Sequence, residues 1–273
     1  MALWLVRAMD SSQPIGVFDS GVGGLTVVRA LIERLPGESI LYFGDTARVP
    51  YGVKSVATVT SYAVQMAQFL LDRRVKLLII ACNTIAAVAA QAIAALSDTP
   101  VLDVIAAGAS AAVRATRGGR IGVIGTLTTI NSGAYEQALR REREDLFVSS
   151  QACPLLVPLV EEGWLTHEVT RQVAAEYLAP VLAQGIDTLI LGCTHYPLLQ
   201  PLIGCVAGPG VALVDSAETV ARQALRLLAD RGLGCAGGKP RYEFYVTDVP
   251  LRFRAIGEQF LGRPFDHVQV VPW

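Results

Sequence analysis

Two of the five cysteines, Cys82 and Cys193, stand where a thiol can do chemistry rather than fill space. Each closes a short apolar run and is followed at once by polar groups, Asn83 and Thr84 after the first, Thr194 and His195 after the second. A helix that starts beside such a thiol offers free backbone N–H groups and the positive end of its dipole, lowering the pKa from about 8.5 toward neutrality. A thiolate so placed is a base. Cys153, Cys205 and Cys235 lack that context and read as ordinary small apolar residues.

Other reactive types surround these two. Asp19 and Ser20 lead into GVGGLTVV, a glycine-rich turn whose N–H groups can hold an anion where the next helix begins. It is not a dinucleotide fingerprint, because Thr26 stands where the third glycine belongs, and no phosphate-binding G-x-x-x-x-G-K-[ST] occurs; a carboxylate fits better. Asp45, in YFGDTARVPYG, either faces the same crevice or caps the next helix, and Tyr51-Gly52 supplies either a hydroxyl and a close backbone approach or plain turn chemistry. His195 is read with equal weight as a proton shuttle, a donor to thiol or carboxylate, and a side chain satisfying a local bond. Glu161 and Glu162 are either bases behind the site or the acidic first turn of a helix from Thr166.

Groups so far apart in sequence meet only if the fold collects them. Short β-rich apolar runs alternate with longer Ala/Leu-rich helical patterns, which predicts an α/β protein of mostly parallel sheets flanked by helices. Strands are expected at residues 15–19, 40–43, 77–81, 101–104, 121–124, 188–192 and 211–214, with helical periodicity at 55–73 and 166–183. Ligands of open parallel sheets bind beyond the carboxyl ends of the strands. Asp19, Ser20, Asp45, Cys82 to Thr84, Gly125, Thr126 and Cys193 to His195 all follow expected strands.

A weak internal repeat links the two thiols. IGVFDS from Ile15 resembles IGVIGT from Ile121, and LLIIACNT from Leu77 resembles TLILGCTH from Thr188. Two similar domains related by a pseudo-twofold axis would therefore each deliver one cysteine to a cleft between them. The boundary is expected near residues 106–108, giving domains of 14–107 and 108–216 after a short loose extension, 1–13. Periodicity alone leaves open whether the last stretch, 217–273, returns to the first domain.

The bulk properties exclude several classes. With 273 residues, 52% of them hydrophobic, the chain can bury a sizeable core, and disorder is excluded. A formal charge of -1 without a basic run gives no general attraction to nucleic acid or anionic membranes. The start, MALWLVRAMD, has no secretory pattern, and polar residues interrupt the most apolar stretch before it could span a bilayer, so a soluble cytoplasmic protein is expected. An odd cysteine count without C-x-x-C and three scattered histidines argue for reduced thiols and no metal site.

The motifs GVFDSGVGGLTV, YFGDTARVPYG, ACNT and GCTHYPLL, spread from Pro14 to about Gly262, resemble the glutamate racemases of the aspartate/glutamate racemase superfamily, which make D-glutamate for peptidoglycan. The resemblance implies that Cys82 and Cys193 are paired acid/base residues working without pyridoxal phosphate or metal. It implies that Asp19, Ser20, Tyr51, Gly52, Asn83, Thr84, Thr194 and His195 line the substrate, with Asp45 and Thr126 added from their strand ends. Asp19, His195 and Glu161, rather than the adjacent Glu162, would assist the thiols. It further implies that 217–273 completes the first domain and that the chain forms homodimers. Inhibition of DNA gyrase, attributed to some members, finds nothing in this sequence for or against it.

The chemistry agrees with the resemblance. Inverting a stereocentre requires a base on one face and an acid on the other, so two opposed monoprotic groups suffice, one starting as thiolate and one as thiol. Two cysteines argue against a one-cysteine decarboxylase of the same superfamily. An aspartate or hydantoin racemase, or a non-catalytic dicarboxylate-binding protein, is the alternative.

Overall fold

The computed structural model describes residues 10–235 and 237–273. Residues 1–9 of the expected extension lie outside them, and residues 10–13 form a tethered turn rather than a loose tail. Along the chain run β1 (Ile15–Asp19), α1 (Leu25–Arg34), β2 (Ile40–Gly44), α2 (Val56–Asp72), β3 (Leu77–Ile80), α3 (Asn83–Ala94), β4 (Val101–Asp103) and α4 (Val104–Ala115). There follow β5 (Arg120–Gly125), α5 (Leu127–Asn131), α6 (Ala134–Glu142), β6 (Phe147–Ala152), α7 (Leu156–Glu161), α8 (Glu168–Leu182), β7 (Thr188–Gly192), a 3-10 turn at Tyr196–Leu199, α9 (Gln200–Ala207) and β8 (Ala212–Val214). The chain ends with α10 (Ala217–Asp230), β9 (Tyr242–Val246), α11 (Pro250–Leu261) and β10 (Val268–Val270).

Two wholly parallel sheets result, of order β10-β9-β2-β1-β3-β4 and β6-β5-β7-β8. The central strands β1, β2, β3 and β7 are buried at every residue, as a parallel sheet covered by helices on both faces requires. The sequence repeat reappears as topology, because β2-β1-β3-β4 and β6-β5-β7-β8 follow one strand order. Even the register is shared: Ile15 pairs with Leu77, and its counterpart Ile121 pairs with Thr188. Both cysteines therefore leave equivalent central strands at equivalent heights.

Some elements differ from the expectation. β6 was not legible, because FVSSQA carries no apolar run; it is an edge strand, half-buried along most of its length. Through the expected boundary at 106–108 runs an unbroken helix, α4, started by Asp103, whose side chain accepts from the N–H groups of Ile105 and Ala106. β9 lies beside β2 with Ile40 opposite Tyr242, so the end of the chain widens the first sheet. Among the described residues no helix is long and apolar enough to cross a membrane.

The amino ends of the first sheet are locked by one buried ion pair. Lys76, fully buried, meets Glu38 at 2.6 Å and donates to the carbonyls of Ser11 and Leu233, tying together the segments that enter β1, β2, β3 and β9. Removing one partner strands the other as a buried uncompensated charge. Lys76→Met is therefore expected to lower stability by about 3–5 kcal/mol, read as the shift of the urea unfolding midpoint at unchanged slope.

Candidate functional site

At the carboxyl ends of both sheets a cavity of about 380 Å³ receives Cys82 from one side and Cys193 from the other. Cys82 follows β3 and occupies the N-cap position of α3; its thiol points to Ser20 Oγ at 3.5 Å. Cys193 follows β7, with its Sγ 3.9 Å from His195 Nδ1. Both are nearly inaccessible, at 5% and 7% exposure, yet both line the cavity. That separates them from Cys153, which is sealed in the interior.

A helix starts beside only one of the two thiols. Beyond Cys193 the chain makes a turn and the Pro-containing 3-10 segment before α9 begins, so His195 takes the place a helix N-terminus was expected to fill. The effect expected of α3 on Cys82 is also overturned. Burial, reinforced by the nearby Asp19 carboxylate, outweighs the N–H of Ile85 and the bond to Ser20 and pushes this thiol up to about 12.

Behind Cys193 lies a relay. His195 Nε2 and Glu161 Oε1 are 3.0 Å apart. Burial opposes charge on the imidazole, but its bonds to Cys193 and Glu161 prevail and raise it to about 10. The same bond to His195 lowers the Glu161 carboxyl against the opposing effect of burial. Glu161 ends α7 and is not in the first turn of α8, whose acid is Glu168. Glu162 points elsewhere and pairs at the surface with Arg252, at 3.6 Å.

Behind Cys82 lies Asp19, almost wholly buried and outside the cavity wall. Its Oδ1 accepts from the Gly21 N–H at 2.8 Å and its Oδ2 has no partner. Burial raises this carboxyl, partly offset by His195. The glycine-rich turn does not leave its first donor free for an anion: Gly21 N–H serves Asp19, and its carbonyl accepts from Tyr42. Its glycines answer to space instead. A Cβ on Gly23 would sit 2.7 Å from His195 Nδ1 and closer still to Thr194 Oγ1.

The remaining predicted residues divide clearly. Ser20, Tyr51, Gly52, Asn83, Thr84, Thr126 and Thr194 line the cavity. Thr84 and Thr126, from different sheets, share a hydrogen bond of 2.9 Å, and Gly52 accepts from both the N–H and the hydroxyl of Thr128. Asp45 neither lines the cavity nor caps α2, which Ser55 caps. Its carboxylate is consumed by Arg48, Thr247 and Tyr51, so it holds the Tyr51 loop in place instead of meeting a ligand. Val49, Pro50, Val53, Pro154, Val157 and Pro158 add an apolar wall that the sequence signals only through the CPLLVP run before Glu161. No group of three or more metal-ligating side chains exists among the described residues.

Known proteins share this sequence and fold. The sequence pattern of the Asp/Glu/Hydantoin racemase family matches residues 15–224. A glutamate racemase of Syntrophus aciditrophicus is 64% identical over 259 residues, covering 94% of this chain and 96% of that protein. One from Neisseria meningitidis is 60% identical over 261 residues, covering 95% and 96%. The crystal structure of the Francisella tularensis glutamate racemase in complex with D-glutamate superposes with a TM-score of 0.91 at 43% identity, covering 96% of this chain and 98% of that one.

The close approach at Gly23 generates a prediction. Gly23→Ala should force the Thr194-His195 turn away from β1 and misplace groups whose alignment is worth roughly 100-fold in rate, so turnover should fall by about that factor. Steady-state kinetics beside a thermal melt will test this, and near-normal turnover in the folded variant would refute it.

Proposed function

The chain belongs to the Asp/Glu/Hydantoin racemase family, and from that premise we propose that it interconverts L- and D-glutamate without a cofactor. Cys82 and Cys193 exchange protons with opposite faces of the substrate's α-carbon. One observation carries this reading: both thiols reach a single cavity from different sheets. A binding protein has no use for two such thiols, and a one-base enzyme has no use for the second.

The surroundings of the two sulfurs support a division of labour. His195, raised to about 10, sets an imidazole that favours positive charge beside Cys193 Sγ, itself steadied by Glu161. Cys82, pushed up to about 12, stays a thiol. The resting site is thus set for Cys193 to take the α-proton of L-glutamate while Cys82 returns one to the other face, the polarity that the family resemblance implies. The C–H bond breaks toward Cys193, the electron pair enters the α-carbon and its carboxylate, and a new C–H bond forms from Cys82. Turnover leaves Cys82 as thiolate and Cys193 as thiol, ready for D-glutamate.

Charge accumulates on the substrate carboxylate at mid-reaction. Asn83 lines the cavity and its Nδ2 is buried without a protein partner, a donor left over for such a group, and Thr84 and Thr194 line the same cavity. Resemblance extends the reading further: D-glutamate made in the cytoplasm by a homodimer supplies peptidoglycan synthesis.

Incubation with L-glutamate in deuterated water tests the proposal through optical rotation and α-deuterium incorporation. Cys82→Ala and Cys193→Ala should each slow inversion by at least on the order of 10² to 10⁴ while the folded state persists. Full racemisation by either variant would reassign the bases, and a folded wild-type protein that exchanges no α-proton would end the glutamate reading.

The pH profile offers an independent check. An imidazolium is present below its pKa and lost as pH rises through it, so removing the carboxylate that raises His195 must bring that loss to lower pH. Glu161→Gln is expected to move the alkaline limb of L-glutamate turnover downward. An unmoved limb would detach Glu161 from the chemistry.

A further inference from the structure

Asn83 presents an amide whose two ends face different worlds. Its Oδ1 accepts a 2.6 Å bond from the Tyr135 hydroxyl, while its Nδ2 is buried at the cavity with no protein partner. Asn83 opens α3, beside the first sheet, whereas Tyr135 lies on α6, which packs on α4 in the other half of the molecule. The bond therefore crosses between the halves. Tyr135 is itself fixed: a Cβ on Gly192, the residue before Cys193, would stand 3.0 Å from its ring, and one on Gly108 would stand 3.2 Å from its hydroxyl. Glycines at both positions make the slot that holds the phenol.

A carboxamide can rotate by half a turn at little steric cost, exchanging donor for acceptor. At a site for an anionic carboxylate the two orientations have opposite value, since the amide NH2 donates and the amide oxygen repels. The Tyr135 proton selects between them. Burial, with Asp103, Asp215 and Cys193 adding to it, holds the phenol well above its ordinary pKa, so the proton is always present.

We propose that Tyr135 is a positioning residue for this site: its hydroxyl locks the Asn83 amide so that Nδ2 faces the cavity and donates to a substrate carboxylate. The proposal rests on the glutamate reading above. Neither the ring nor the hydroxyl of Tyr135 lines the cavity, so its influence passes through Asn83 alone. It also ties recognition to closure, because the bond exists only while the two halves are together.

Tyr135→Phe keeps the ring in its slot and removes the proton that orients the amide. The donor it governs binds carboxylate before reaction begins, so the loss should appear as a rise in KM for glutamate of roughly 10-fold, the worth of one charge-assisted bond. Because the same donor also meets the charge that builds on the carboxylate at mid-reaction, kcat should fall as well, by about 10-fold. In an Asn83→Ala background the same substitution should change KM by less than about 2-fold, since the group it acts through is gone. A folded Tyr135→Phe protein with unchanged KM, or one whose effect persists undiminished in Asn83→Ala, overturns the proposal. If Tyr135→Phe does not fold, Asn83→Asp keeps the acceptor for Tyr135 and replaces only the donor; a raised KM at unchanged melting temperature is then expected, and an unchanged KM overturns it. A wild-type protein that fails to racemise glutamate would instead sink the functional reading, a distinct result.

Discussion

Side chains at the ends of two separate sheets can act on one small molecule only if backbone lies directly against side chain where the sheets meet. Gly23 supplies that contact on one side of the cavity, leaving no room for a Cβ against Thr194 and His195. Gly52 supplies it on another, its own missing Cβ coming 2.7 Å from that of Thr126. These approaches bring the two sides of the cavity together and hold Cys193 with its histidine near Asp19 and Cys82. An enclosed site strengthens each electrostatic interaction within it.

Within that enclosure the two copies of the fold have become unlike. The strand that offers Asp19 and Ser20 in the first copy offers Gly125 and Thr126 in the second, and Asn83 and Thr84 correspond to Thr194 and His195. One thiol therefore sits beside a carboxylate and a hydroxyl, the other beside an imidazole backed by a carboxylate. A symmetric backbone provides matched positions, and asymmetric side chains give the two thiols different surroundings. Both are needed for a proton to leave one face and arrive at the other.

The polar residues that do not touch the cavity are no less specified. Asp45 accepts from three side chains, one of them Thr247 far along the chain, and so fixes the loop carrying Tyr51 and Gly52. At the far ends of the strands Lys76 and Glu38 neutralise each other under full burial. At the reactive edge of the sheets Asp19 Oδ2 and Asn83 Nδ2 are buried without a protein partner.

The sequence by itself was enough for the α/β class, the central strands, the repeat and the pair of thiols at its matched ends. Those features depend on local hydrophobic period and on residue type, which a linear reading detects. It did not reveal β6, whose partner-dependent edge position needs no apolar run, nor the unbroken course of α4 through the expected boundary. It also misjudged Asp45 and the Cys82 thiol, whose chemistry is decided by neighbours distant in the chain: Arg48, Tyr51 and Thr247 for the one, burial beside Asp19 for the other. Glu161 and Glu162 were equal as letters and became unequal when the turn after β7 brought His195 against only one of them. Desolvation and long-range pairing are properties of the folded solid, and they determined which of the legible residues do which work.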